Sequence, residues 1–167
     1  MLRVLIIMAL SMSLSFAVVR SGDDVIDFSL PSLNDDTKTI SITNTESKVI
    51  LLNLWASWCP GCKAEMPLFM KLQKSFDKKD FSILTVNVDS NKKKAIKFLN
   101  KLEKKVKYPV NFITAYDKKR SVVKVYKPVG LPASYLIING KVKKMILGSL
   151  TPKSEKKLED EIKSLIK

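Results

Sequence analysis

A chain of 167 residues, 46% of them hydrophobic, is long enough for one domain with a proper core, and two domains would each be small. Its two cysteines and complete lack of histidine exclude a zinc site closed by Cys and His ligands from this chain alone. The formal charge of +14 invites a nucleic-acid reading, but the lysines lie in scattered short runs (92–94, 104–105, 118–120, 143–144, 156–157) with no aromatic interleaving and no binding motif. They read as solvated faces, with attraction to an anionic membrane surface as the consequence of the charge and no nucleic-acid partner expected.

Residues 1–17 have the organisation of an export signal: Arg3 at the start, an apolar body over 4–10, and Ser15-Phe16-Ala17 as a small-x-small cleavage site. The mature chain would then begin near Val18. An uncleaved anchor is the rival reading, although the apolar stretch 4–19 makes only about 24 Å of helix against a hydrocarbon core of about 30 Å. No cysteine lies near this segment, which excludes a lipid carried on an N-terminal cysteine. Either way the remainder, a polar lead-in over 18–24 and a domain over 25–167, is expected outside the cytoplasm, where disulfides persist.

Between 25 and 42 the apolar residues alternate loosely on either side of Asn34-Asp35-Asp36, which predicts a β-hairpin turning there. Residues 48–56 form a nearly continuous apolar run of the kind a buried central strand shows. A helix is predicted over 60–77, with Met66, Phe69, Met70, Leu72 and Gln73 at helical spacing and Pro67 inside it, where the missing N–H should kink the axis. A strand over 81–88, a helix over 92–106, a strand over 109–113 and a short helix over 118–126 follow. Asn139-Gly140 between 134–138 and 142–147 is a strong hairpin signal, and a last helix over 152–166 carries Leu158, Ile162, Leu165 and Ile166 on one face. Strands alternating with helices predict an α/β domain with a central mixed sheet flanked by helices.

Cys59-Pro60-Gly61-Cys62 falls where the central strand hands over to a helix. Two residues of separation at a helix start let the sulfurs meet without moving the backbone, and first-turn N–H groups and the positive end of the dipole favour a thiolate at Cys59. A disulfide here closes so short a loop that it removes little unfolded-state entropy, so stabilisation is a poor reason for the pair. The pair reads as redox-active.

Trp55-Ala56-Ser57-Trp58-Cys59-Pro60-Gly61-Cys62-Lys63, following an apolar strand, resembles the thioredoxin superfamily. Glu65-Met66-Pro67, the upstream 27–33 stretch and the downstream Gly130-Leu131-Pro132-Ala133 stretch are similar to its extracytoplasmic branch, which includes the reductases of cytochrome c maturation and sporulation. The resemblance implies a thioredoxin fold with an N-terminal β-hairpin and one extra helix–strand insertion. From the residues alone Pro132 is a trans turn proline. The resemblance makes it the cis-proline against the cysteine pair, leaving the Leu131 backbone to pair with an extended substrate segment. Glu65 by itself is equally an ordinary first-turn acid. By resemblance it takes the general-base role that a buried acid at the position of Asn53 has in cytoplasmic thioredoxins. Trp55 reads as core, whereas Trp58, Pro60, Gly61, Leu131 and Pro132 form the expected substrate-binding set around Cys59 and Cys62.

The function these readings imply is a thiol-disulfide oxidoreductase that needs no cofactor or metal beyond its Cys59–Cys62 disulfide. It would reduce disulfides of exported proteins such as apocytochrome c and receive electrons from a membrane-embedded thiol carrier. No dimerisation segment is visible, so a monomer is expected. The alternatives are a disulfide oxidase or isomerase on the same fold, a peroxidase, whose Pro-x-x-x-Thr-x-x-Cys motif is missing, and a copper metallochaperone, whose Cys-x-x-x-Cys with a distant histidine is also missing.

Overall fold

The computed structural model describes residues 18–167. The expected export signal lies outside the described residues, and among those described no helix is long and apolar enough to cross a membrane.

The sheet is built on β3 (Val49–Trp55), after the two short strands β1 (Leu30–Pro31) and β2 (Thr39–Ile40). Every residue of β3 is buried, as expected of its apolar run, including Asn53, the one polar residue that interrupts it. β3 pairs in parallel with β4 (Phe81–Asn87) and antiparallel with β6 (Ala133–Ile138). β5 (Ile113–Tyr116) and β7 (Lys141–Leu147) complete a five-stranded sheet of order β5-β4-β3-β6-β7. The inserted strand β5 thus takes the outer place beside β4. Helices α1 (Pro60–Lys74), α2 (Lys92–Val106), α3 (Ser121–Tyr126) and α4 (Pro152–Leu165) connect and cover the strands.

Strand alternation assigns the layers, because residues two apart share a face. Asn53 of β3 reaches Glu65 of α1, and Trp55, two residues on, packs on Phe98 of α2 with ring centroids 5.8 Å apart. α4 joins this layer through the ion pair of Lys71 with Glu155 at 3.2 Å. Tyr135, opposite Leu52 in the register, points to the other face and meets Tyr126 of α3 at 5.0 Å. The sheet is therefore covered by α4, α1 and α2 on one side and by α3 on the other.

Several boundaries differ from expectation for identifiable reasons. The strand predicted over 109–113 begins only at Ile113. Pro109 has no N–H, the Val110 N–H goes to Glu103 Oε1 at 2.7 Å, Asn111 Nδ2 reaches the Met70 carbonyl at 3.0 Å and Phe112 packs edge-on to Phe69. Those residues seat the connection on α1 and α2 before the ladder starts. The helix predicted over 118–126 is shortened at its start, where Arg120 has φ 54 and the Asp117 carboxylate accepts from Ser121 Oγ and the Val122 N–H. α1 stops at Lys74 rather than 77, and it continues through Pro67. The segment 18–24, which reads as a polar lead-in, is paired with the edge of β7: the Gly22 N–H donates to the Val142 carbonyl and the Val142 N–H to the Asp23 carbonyl. An edge strand otherwise presents a row of unpaired backbone groups. On the opposite edge Ser32, just past β1, bridges to Ala115 of β5. The Asn139-Gly140 turn has φ of 50 and 72, the doubly positive geometry that this dipeptide favours.

Candidate active site

Cys59 is the N-cap of α1 and Cys62 lies in its first turn, joined in a disulfide. Cys59 Sγ accepts the Cys62 N–H at 3.1 Å, one of the donors that a helix start leaves without an intrahelical partner. Cys59 retains 4% of its exposure and Cys62 none, so solvent reaches the pair only from the Cys59 side. Trp58, immediately before it, is 57% exposed. Trp55 is fully buried and donates its indole N–H to Thr85 Oγ1 at 3.2 Å.

The loop before β6 closes one side of the pair. The Leu131–Pro132 peptide bond is cis, as the resemblance implies. Gly61 lies against it: a Cβ there would stand 3.3 Å from Pro132 Cδ and 3.4 Å from Ser149 Oγ, so a methyl fits only if a neighbour gives by a few tenths of an ångström and a larger side chain is obstructed. Pro60 is exposed at the mouth. Leu131 precedes the β6 ladder, and its backbone N–H and C=O carry no hydrogen bond among the described residues.

Glu65 is completely buried, three residues after Cys62 on the same helix. Its Oε1 accepts from Asn53 Nδ2 and its Oε2 from the Leu150 N–H, both at 2.9 Å. Burial raises its pKa to about 7, against the opposing pull of the Leu150 and Asn53 hydrogen bonds. A carboxyl in that range can take a proton from a thiol near neutrality, which an exposed first-turn glutamate cannot do as well.

Four contributors to this site carry no motif in the sequence. Ser134, opposite Asn53 across β3 and β6, accepts from Asn53 Nδ2 at 2.9 Å. The Leu150 amide and Ser149 arrive from the β7–α4 connection. Asp89, at 1% exposure, receives the Ser57 N–H at 3.1 Å and so holds the turn that leads into Cys59. The only hint is a polar residue within or just after an apolar strand, as at Asn53, Ser134 and Asp89. Among the described residues no group of three or more Cys, Asp or Glu side chains is placed to hold a metal ion.

The Redoxin family profile matches residues 20–162. This chain belongs to the Redoxin family. It is 31% identical over 137 residues to the thiol-disulfide oxidoreductase ResA of Oceanobacillus iheyensis, covering 80% of this chain and 68% of that one. It is 32% identical over 134 residues to ResA of Bacillus subtilis, covering 80% and 70%. Among solved structures, a candidate thiol:disulfide interchange protein DsbE from Chlorobium tepidum has a TM-score of 0.75 and 30% identity, over 90% of this chain and all of that one. The fold is thioredoxin-like and the protein is a thiol-disulfide oxidoreductase. In this Redoxin-family enzyme the cysteine pair serves as the redox group, with no separate cofactor.

Proposed function

We propose that this oxidoreductase acts as a reductant of protein disulfides outside the cytoplasm, with Cys59 as nucleophile, Cys62 as resolving thiol and Glu65 as general base. The observation that supports the reading is the burial of Glu65, a carboxyl with two fixed donors three residues after the fully buried Cys62, while Cys59 keeps what little exposure the pair has.

In the dithiol form the Cys59 thiolate attacks one sulfur of a substrate disulfide, the substrate S–S bond breaks and its other sulfur leaves as a thiolate. A mixed disulfide remains on Cys59. The Cys62 S–H bond then breaks, its proton goes to a Glu65 oxygen and its electron pair stays on sulfur. That thiolate attacks Cys59 Sγ, the Cys59–Cys62 bond forms and the second substrate thiolate departs. The enzyme is oxidised by two electrons, and the two substrate thiolates become thiols by taking up one proton released from Glu65 and one from solvent.

The direction is supported by modest thiolate stabilisation. Cys59 Sγ receives one backbone N–H, and Pro60 and Gly61 supply no charge, whereas strong oxidants depend on a heavily stabilised thiolate. Trp58, Pro60 and Gly61 present the surface around Cys59 with Pro132 buried against Gly61, and the unpaired Leu131 backbone suits an extended segment of substrate. The motif's resemblance to the extracytoplasmic branch supports exported proteins such as apocytochrome c as the client class, a membrane-embedded thiol carrier as the electron source, and an export signal over 1–17 as the route. The protein would act as a monomer, with its lysine faces drawn to anionic membrane. The reduction potential of the pair, measured by equilibration with glutathione buffers, should fall nearer about −270 mV than about −120 mV. A value above about −150 mV overturns the direction and makes the protein an oxidant.

A further inference from the structure

Asn53 carries a buried carboxamide that is used on one side only. Its nitrogen donates to Glu65 Oε1 and to Ser134 Oγ, each at 2.9 Å, while its oxygen is buried without a partner. Buried acceptors are seldom left open. The two neighbours of the nitrogen share a property that bears on the orientation of the carboxamide. A carboxylate only accepts, but once protonated one of its oxygens donates, and a serine hydroxyl does either. A carboxamide has nearly the same outline after a half-turn about its terminal bond, which exchanges NH2 for C=O in the same space.

We propose that Asn53 is a positioning residue for the thiol–disulfide step: its carboxamide holds ionised Glu65 through Nδ2 and, after a half-turn, protonated Glu65 through Oδ1, with Ser134 as partner in both states. The orientation present in the structure is the one that serves the carboxylate. When Glu65 takes the Cys62 proton, its new O–H needs an acceptor, and the half-turn brings Oδ1 to the place of Nδ2, where the Glu65 and Ser134 hydroxyls both donate to it. Leucine would leave Oε1 without a donor, and aspartate, an acceptor when ionised, would repel the carboxylate. This proposal rests on the reading of Glu65 as the base for Cys62.

The electrostatic setting of Glu65 is simple enough for the effect to be read. β3 offers it Asn53, β6 lies behind with Ser134, and the loop before α4 offers the Leu150 amide. Among the ionisable groups of the helices around it, Cys59 and Cys62 are joined in the disulfide, Lys63 of α1 and Lys153 of α4 are exposed, and Lys71 and Glu155 pair with each other between those helices. None of these is hydrogen-bonded or ion-paired to Glu65.

The test is a 13C and 15N nuclear magnetic resonance titration of the labelled disulfide form, in which no thiol titrates. The Asn53 side-chain amide signals should move with the same midpoint as the Glu65 carboxyl carbon. In Asn53→Leu the Glu65 midpoint should rise by about one pH unit, an approximately tenfold tighter proton, because the ionised form loses a charge-assisted hydrogen bond and the protonated form a neutral one. The pH profile of mixed-disulfide resolution should shift in the same sense. Asn53 amide signals that stay flat while Glu65 titrates overturn the half-turn, and this measurement needs no variant, so a misfolded Asn53→Leu does not remove the decision. An unmoved Glu65 midpoint in folded Asn53→Leu reduces Asn53 to a core residue. Resolution rates of Glu65→Gln that match wild type at every pH instead overturn the base reading, and they are measured independently of the titration.

Discussion

Replacing Glu65 by glutamine removes the ionisable group while keeping its shape, and the structure sets both the sign and the size of the result. In the unfolded chain the carboxyl ionises near 4.5, whereas in the folded protein burial holds it protonated up to about 7. Over that interval the folded state binds more protons than the unfolded state, so stability is greatest below pH 4.5, falls as pH rises and levels off above 7. At about 1.4 kcal/mol per pH unit, the wild-type protein loses roughly 3 kcal/mol across the interval from this one group. Glu65→Gln has no such loss. The difference in stability between the two proteins, in which all other titrations cancel, should therefore move by roughly 3 kcal/mol in favour of glutamine between pH 4.5 and 7.5. The glutamine oxygen can face the Leu150 N–H, and its NH2 can be accepted by a turned Asn53, so the variant mimics the protonated state. Urea unfolding of both disulfide forms at three pH values measures the difference, and stopped-flow resolution rates of the dithiol forms measure the chemistry. A stability difference that stays constant with pH would refute the reasoning, since Glu65 would then titrate like an exposed acid. Rate profiles that superimpose would remove Glu65 from the proton transfer.

Cys62→Ser should accumulate mixed disulfides through Cys59, whereas Cys59→Ser should not, because Cys62 is sealed from solvent; non-reducing gels compare them, and equal trapping reverses the assignment. Trp58→Ala should change stability by no more than about 0.5 kcal/mol, since the ring is 57% exposed, yet raise KM for a protein substrate. Steady-state kinetics on a folded client-like disulfide check it, and an unchanged KM removes Trp58 from the binding surface. Gly61→Val must push branched carbons into the 3.3 Å space before Pro132 Cδ and should cost about 1–3 kcal/mol. Gly61→Ala, with only the Cβ to place and a helix-propensity gain of about 1 kcal/mol, should be close to neutral by thermal unfolding. If the two substitutions prove equal, Gly61 is not packed against the loop.

Local pattern was enough for the centre of this protein. A nearly continuous apolar run ending at Trp55 had to be a buried strand, two cysteines at the following helix start had to share a turn, and Asn139-Gly140 had to be a hairpin, because each depends on residues close together in the chain. The inner strands and α2 could be placed from periodicity for the same reason. Where distant groups compete for the backbone, pattern failed. Residues 109–112 have strand-like composition, but Glu103 and Met70 claim their polar groups, and the polar segment before Val25 is held by the edge of β7. The site divides in the same way. Cys59, Cys62 and Glu65 share one helix and are legible as a motif, and the motif's resemblance pointed to Pro132. Whether Glu65 was a surface acid or a buried one was undecidable from its spacing. The answer lies in Asn53, twelve residues before it, and in the Leu150 amide, 85 residues after it, which the closure of the sheet and the start of α4 bring to its two oxygens. A backbone N–H has no sequence signature, and only the tertiary structure could decide that this carboxyl is buried and held from both sides.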